Sequence, residues 1–398
     1  MGVERSEPLR VALLEPAGRG GIHHYTRALA DALAGAGAAV TLFTARDHEF
    51  AARDAATPPR FAIAPLFARR RTSPRALIAA LRAARPDLLH LQTGTHPLLH
   101  LALLWAAKRA TGAPAIVTAH DLRPKNSGRF GDLAAGWLQR AADLLIVHGE
   151  SLRAELLARR PRLAARTCVV PHGEYGSLVA PQDAVPPPAR PTLLFFGYLH
   201  PEKGLEDLLE ALPALLHAVP STRLVIAGAA EQPVAPLQQR AAELRVADAI
   251  DWRIGYVAAD AVAPLFAGAT GVVLPYREAS QSGVLFLAGA HARPLVATRV
   301  GALPEAIEHG RTGWLVPPRD PAALGKALSE LLSDLLRAEK MGKEHALRCR
   351  TEGAWPAIAE RTLALYARLP RRPPSRFAAG GAAGDGTLGD ARGTPARA

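Results

Sequence analysis

The chain has 398 residues, 49% of them apolar, which is material for two buried cores, and it has no apolar run near the roughly 18 to 20 residues a membrane span requires. Two cysteines, Cys168 and Cys349, exclude a disulfide framework or a paired-cysteine zinc site. The formal net charge of +12 is uneven, with 24 Lys/Arg against 13 Asp/Glu in residues 1–172 and 19 against 21 in residues 173–369.

The opening MGVERSEPLR is polar, so no secretory signal is expected and the reading is a soluble, cytoplasmic chain. Short apolar strands then alternate with amphipathic helical stretches, the pattern of parallel sheets covered by helices on both faces. The strand candidates of the first half are residues 10–15, 40–45, 87–92, 115–120, 144–149 and 167–172. Those of the second half are residues 192–197, 223–228, 250–255, 271–275, 294–298 and 314–317. Residues 173–191 are rich in Pro and Gly and read as a linker. The expected organisation is a first domain over 1–172, a second over 192–350, a helical segment over 351–369 placed to cross back to the first domain, and a disordered tail over 370–398. Gly384, Gly386 and Gly389 in that tail match a dinucleotide-binding spacing, but no strand precedes them and no helix follows.

In open α/β sheets ligands bind beyond the carboxyl ends of strands, so unusual residues are sought there. The first strand candidate runs into Glu15, Gly18, Gly20 and Gly21, and then into a helix with Tyr25, Leu29 and Leu33 on one face. Such a turn either cradles an anion at a helix N-terminus or simply needs positive φ, and both readings stay open. His23 and His24 lie on this turn, His120 with Asp121 ends the fourth candidate strand, and His172 ends the sixth. A histidine at a strand end serves structure more often than chemistry. No H-E-x-x-H and no D-x-D occur, so a bound diphosphate would be neutralised by Lys, Arg and helix termini, with no metal or cofactor expected. Lys203 stands beside a helix start near Leu205, and the polar turn Tyr276 to Gly283 precedes another helix. Both are anion-binding arrangements.

Four segments together resemble the GT-B glycosyltransferases of family 4. They are VATRVGALPEAIEHGRTGWLVPPRDPAAL (296–324), FFGYLHPEKGLEDLLEAL (195–212), IGYVAADAVAPLFAGATGVVLPY (254–276) and the glycine turn from Gly20 to Tyr25. The resemblance implies an α/β fold of two Rossmann-like domains facing each other across a cleft. It implies transfer, with retention and without a metal, from a nucleotide diphosphate sugar held by the second domain to an acceptor hydroxyl held by the first. Gly20 and Gly21 would then approach the diphosphate, and His120 would contact the transferred sugar. Lys203 would meet the phosphates, Gly228 between Ala227 and Ala229 would line the base pocket, and Ser282 and Gly283 would face the leaving group.

Two departures change that pattern. Tyr198 stands where the family has an Arg, with His200 as a partial substitute when protonated. The positions of the family's two Glu are Ala279 and Leu287, so Glu278 serves as the first only if its turn shifts by one residue. The turn Ser280 to Gly283 resembles a variant branch lacking the second Glu. The basic first half, including Arg69, Arg70, Arg71, Arg123, Lys125 and Arg129, fits an anionic partner. A sugar or lipid-linked acceptor at the inner membrane face, in envelope glycolipid or polysaccharide synthesis, is the expectation. Nucleic acid is disfavoured, because aromatic residues are 5% of the chain and no recognition motif appears. The alternatives are a sugar-nucleotide epimerase or phosphorylase on the same fold, or a catalytically decayed nucleotide-binding partner protein.

Overall fold

The computed structural model describes residues 7–68, 73–94, 96–122, 128–176, 188 and 190–370. The tail glycines, Arg69 to Arg71, Arg123, Lys125 and the side chain of Arg129 lie outside the described residues.

The first sheet is built from β1 (Arg10–Leu14), β2 (Ala39–Ala45), β3 (Ala62–Phe67), β4 (Leu88–Thr93), β5 (Ala115–Ala119), β6 (Leu144–Val147) and β7 (Thr167–Val169). The second is built from β8 (Thr192–Phe196), β9 (Arg223–Gly228), β10 (Ile250–Ile254), β11 (Gly271–Leu274), β12 (Leu295–Thr298) and β13 (Trp314–Val316). The strand orders are β3-β2-β1-β4-β5-β6-β7 and β10-β9-β8-β11-β12-β13, and every pairing is parallel. This is the expected α/β class, two Rossmann-like domains. In each sheet the order reverses once, between β1 and β4 and between β8 and β11, which opens a crevice at the carboxyl edge.

Strand β3 is absent from the sequence reading for a physical reason. It is an edge strand with Pro65 inside it and only Phe67 buried, so it lacks the apolar run that marks its neighbours.

Alternation along the strands sends side chains to opposite faces. Val11 and Leu13 pack with Tyr25, Leu29 and Leu33 of the helix Gly20–Gly35. Ala12 and Leu14 pack with Leu81, Leu104 and Leu138 from helices on the other face. The first face is completed from far away in sequence. Helix Trp355–Tyr366 follows the second domain but buries Trp355, Ile358 and Tyr366 against Ile116 and Ile146 of the first. The Trp355 indole donates to the Glu174 carbonyl (2.7 Å), and a Cβ added to Gly173 would come within 2.3 Å of the indole ring.

Two of the contacts that join the domains involve residues far apart in sequence. The Glu305 carboxylate accepts from the backbone N–H groups of Glu150 (2.9 Å) and Ser151 (2.7 Å), at the N-terminus of the helix Glu150–Arg159. A charge there is favoured by the helix dipole. Tyr175, fully buried, donates to the Gly21 carbonyl (3.1 Å) and stands where a Cβ on Gly283 would meet its hydroxyl at 3.1 Å.

Candidate active site at the interdomain cleft

A cavity of about 650 Å³ opens where the carboxyl edges of the two sheets meet. From the first domain it takes the turn after β1. Glu15, buried, accepts from Ala17 N (2.9 Å), Gly18 N (3.0 Å), Thr44 Oγ1 (3.2 Å) and His23 Nδ1 (2.6 Å). Its carboxylate shapes the loop, while Gly18 and Gly20 supply φ of 68° and 74°. The φ requirement of the glycine turn is met, and Gly20 and Gly21, whose backbone amides open the helix, line the cavity.

One of those amides is already used. Gly20 N–H donates to Glu49 Oε2 (3.2 Å), which also accepts from His24 Nε2 (2.8 Å) and from the Tyr256 hydroxyl of the second domain. Burial pushes the Glu49 carboxyl up, but these donors outweigh it and hold the group at about 2. A carboxylate of the chain itself thus sits at the mouth of the glycine turn.

The second domain contributes three turns. After β8 the chain makes one tight turn, Pro201–Lys203, and enters the helix Leu205–Ala218 through Gly204 at φ 64°. A Cβ on Gly204 would lie 1.9 Å from the Pro275 carbonyl oxygen, so only glycine fits. Lys203 reaches the cavity with its ammonium 3.8 Å from the Tyr276 ring centroid and has no ion-pair partner among the described residues. Burial lowers its pKa, opposed chiefly by Asp121 across the cleft. At the end of β9, a Cβ on Gly228 would strike the Gly197 carbonyl oxygen at 1.8 Å, so two backbones touch to form the cavity floor. After β11, Ser282 stands at the start of the helix Gly283–Ala290, its Oγ 3.1 Å from the Tyr276 hydroxyl.

Of the residues singled out by sequence, Gly20, Gly21, Lys203, Gly228, Ser282 and Gly283 line this cavity together, as does Ala229. Ala227 is buried core. Three others do not line it. The backbone N–H groups of Arg277 (2.8 Å) and Glu278 (3.3 Å) both donate to the Glu202 carbonyl, and the Arg277 guanidinium is held by Asp207 (2.8 and 2.6 Å). That anchoring leaves Glu278 exposed, outside the cavity lining. His200 is buried, and its Nδ1 caps the tight turn by accepting from Glu202 N (3.4 Å). It holds the turn, outside the cavity lining.

His120 is the third. The Val170 carbonyl accepts from His148 Nδ1–H (3.0 Å), and His148 Nε2 lies 3.2 Å from His120 Nδ1. His120 Nε2 lies 2.8 Å from Gln92 Oε1, Gln92 Nε2 lies 3.2 Å from His90 Nε2, and His90 Nδ1 is 2.6 Å from the Tyr366 hydroxyl. Tyr25 stacks edge-on over His120. Burial, with His148 adding to it, pulls His120 far below the usual imidazole range. Both ring nitrogens are occupied within the first domain. The ring is therefore a neutral, fixed group behind the cleft, and His172, also buried and lowered by burial, is another.

Sequence reasoning missed Glu49 and Tyr175, which carry no local motif, gave no separate role to Tyr256 inside the 254–276 segment or to Gln281 inside the polar turn, and missed His291. The last two line the second-domain wall, each with a buried nitrogen (Nε2) that has no hydrogen-bond partner among the described residues. Leu287 and Tyr198 line the same wall, so the positions where the resemblance expects Glu and Arg do face the cavity. Among the described residues, no three His, Cys, Asp or Glu side chains are grouped to hold a metal ion. No helix among them is long and apolar enough to cross a membrane.

Two family models match in tandem, "Glycosyltransferase Family 4" over residues 19–173 and "Glycosyl transferases group 1" over residues 190–334. The chain is 29% identical over 313 residues to the glycogen synthase of Mycobacterium tuberculosis, covering 74% of this chain and 73% of that one. It is 30% identical over 312 residues to the D-inositol 3-phosphate glycosyltransferase of Streptomyces avermitilis, covering 70% and 65%. Among solved structures, the sucrose-phosphate synthase of Thermosynechococcus elongatus superposes with TM-score 0.70 at 21% identity, over 90% of this chain and 98% of that one. The Anabaena protein HepE in complex with UDP-glucose superposes with TM-score 0.72 at 18% identity, over 90% and 99%.

Proposed function

The chain is a glycosyltransferase of the GT-B fold, and from that premise we propose a retaining, metal-independent transfer from a nucleotide diphosphate sugar to an acceptor hydroxyl. The observation that carries this reading is Lys203, an ammonium without a carboxylate partner among the described residues, facing the cavity between two helix starts. A cation that burial destabilises gains most from a doubly charged ligand. Departure of the nucleotide leaves negative charge on the β-phosphate. Lys203, the amides at Gly283 and the turn at Gly20 and Gly21 then meet that charge as fixed donors, so the transition state requires little reorganisation. The acceptor hydroxyl attacks from the face the leaving group occupies, and the departing phosphate takes its proton.

The donor belongs to the second-domain wall and the acceptor to the first domain. With Leu287 apolar, the ribose hydroxyls fall to His291 and Gln281, whose free nitrogens answer the need a carboxylate would otherwise meet. Burial, with Arg293 adding to it, holds His291 down at about 4, so it acts as a neutral hydrogen-bonding group. The charge excess of the first domain supports a sugar or lipid-linked acceptor at an anionic membrane surface, in envelope glycolipid or polysaccharide synthesis.

The test is a panel of UDP-, GDP-, ADP- and dTDP-sugars scored by thermal stabilisation and slow donor hydrolysis, with and without EDTA. One base should stabilise and hydrolyse with the chelator present, and the product anomer should keep the donor's configuration. Complete loss with EDTA that Mg²⁺ restores overturns the metal-free route.

A further inference from the structure

Half of the twelve large apolar side chains that the described residues leave exposed stand on two neighbouring helices of the first domain. Helix Pro97–Thr111 presents Leu98, Leu99 and Trp105, and helix Gly128–Ala141 presents Phe130, Leu133 and Trp137. Trp105 is 69% exposed and Phe130 62%, large apolar areas left in water. The spacing puts each set on one outward face. Residues 98, 102, 105 and 109 lie at i, i+4, i+7 and i+11, and residues 130, 133, 137 and 140 at i, i+3, i+7 and i+10. The inward faces bury Leu103 and Leu104, and Leu138, in the core of the first sheet.

The order along the two helices is the same. Both follow neighbouring parallel strands, so both begin at the carboxyl edge of the sheet, beside the cleft. Each carries exposed apolar side chains in its first two turns, Leu98 with Leu99 and Phe130 with Leu133, then one Trp seven residues after Leu98 or Phe130, and reaches an exposed Arg near its end, Arg109 and Arg140. Neither Arg has an acidic partner among the described residues, and the two nearby acids are taken, Asp132 by Arg159 and Arg160 and Asp143 by Lys108. Between the helix starts lies an apolar groove of about 470 Å³, walled by Pro97, Leu98, Leu99 and Phe130. Pro97 also lines a smaller pocket whose far wall includes Asp121, the residue after His120.

We infer that this double-helix face docks on a bilayer containing anionic lipid, with the helix starts immersed, Trp105 and Trp137 at the headgroup boundary, and Arg109 and Arg140 on the lipid phosphates. A rise of about 1.5 Å per residue puts Trp105 about 10 Å along the axis from Leu98, so a helix tilted into the surface carries Leu98 below the headgroup boundary while Trp105 sits at it. Trp favours that boundary because one edge is apolar and its N–H is polar. A second copy is disfavoured as the occupant, since it would set two faces of unpaired Arg against each other. Docked in this way, the acceptor side of the cleft opens toward the lipid surface. The inference extends the membrane-facing reading of the first domain but not the donor chemistry, and donor hydrolysis without vesicles reads that chemistry separately.

The experiment uses the full chain, sedimented with vesicles of phosphatidylcholine alone and of phosphatidylcholine with phosphatidylglycerol. The wild type should bind the anionic vesicles more tightly, release at high salt, and show a blue shift of tryptophan emission. Trp105→Gln with Trp137→Gln should weaken partitioning by about tenfold per side chain (about 1.4 kcal/mol each), with melting temperature and donor hydrolysis unchanged. Arg109→Gln with Arg140→Gln should weaken binding to anionic vesicles only. Absence of wild-type binding to anionic vesicles overturns the inference. So does binding that survives the double Trp variant and is lost when Arg69, Arg70 and Arg71 become Ser. A dimer seen by light scattering that the Trp substitutions dissolve also overturns it, because a second copy would then cover the face.

Discussion

Replacing Lys203 with Met removes its charge and keeps a stem of similar length over Tyr276. The structure separates what that charge does for the fold from what it does for the reaction. On the folding side, the ammonium gains a cation–π contact at 3.8 Å, worth about 0.5 to 2 kcal/mol, and loses hydration, which the downward pKa shift records. The two terms oppose each other, so net stability should change by no more than about 1 kcal/mol, a shift of about 2 to 4 °C for a domain of this size. On the reaction side nothing opposes the loss. One fixed donor facing charge that develops on a leaving group contributes about 10²- to 10³-fold in kcat. Lys203→Met should therefore melt within a few degrees of the wild type, still bind the nucleotide, and turn over donor at least about a hundredfold more slowly. Paired scanning fluorimetry and single-turnover hydrolysis measure both quantities on one preparation. Near-normal turnover refutes the role outright, and a collapse in melting temperature shows that the lysine is structural.

Glu49→Gln removes a negative charge from the Gly20 amide, so UDP or its counterpart should bind about three- to tenfold more tightly, as expected for a screened like charge worth on the order of 1 kcal/mol. Isothermal titration showing weaker binding would instead make Glu49 a ligand-holding group. The carboxyl is held at about 2 against an unfolded value of 4.5, so its contribution is present above pH 4.5 and lost as pH falls toward 2, and the Gln variant should lack that loss in melting-temperature profiles. His90, His148 and His345 are held down by burial at about 3, 4 and 4, respectively. Below the unfolded value of 6.5 the unfolded chain binds protons these rings refuse, so stability should fall from pH 6.5 toward 4, and a flat profile across that window would contradict their burial. His291→Phe keeps the ring stacked on Phe266 and removes the free nitrogen, so donor KM should rise several-fold with little change in melting temperature, and an unchanged KM removes it from ribose recognition. Trp355→Ala leaves a cavity in the first core and should cost about 3 to 5 kcal/mol in denaturant unfolding, and a cost below about 1 kcal/mol would mean the helix is not packed there.

The strands of both sheets and the glycine turns were legible because parallel strands buried on both faces read as short apolar runs, and turns at their ends need particular residues. Edge strand β3 was not, since it is mostly exposed and contains Pro65. Lys203, Gly20 and Ser282 could be placed because each follows a strand directly, and the fold puts every such position at one edge. Glu278 could not be oriented, because its direction is set by the Glu202 carbonyl and by Asp207, about 70 residues away in sequence. The Glu305 contact with Glu150 and Ser151 and the Tyr175 contact with Gly21 join residues about 150 apart. No local pattern encodes partners of that kind, although Glu305 lies inside the most specific motif.

The return of helix Trp355–Tyr366 to the first sheet imposes an order on biosynthesis. The first domain leaves the ribosome with its own strands and with the helix Gly20–Gly35, yet Ile116, Ile146 and the Tyr25 flank wait for Trp355, Ile358 and Tyr366. The second domain, by contrast, builds both of its apolar cores from residues within 193–349. The nascent first domain therefore carries an open apolar face while about half of the protein is still being made, a period in which chaperone contact or intermolecular association competes with docking. A fragment cut at residue 172 would keep that face permanently, and the chain's last described helix functions as the closing piece of its first domain.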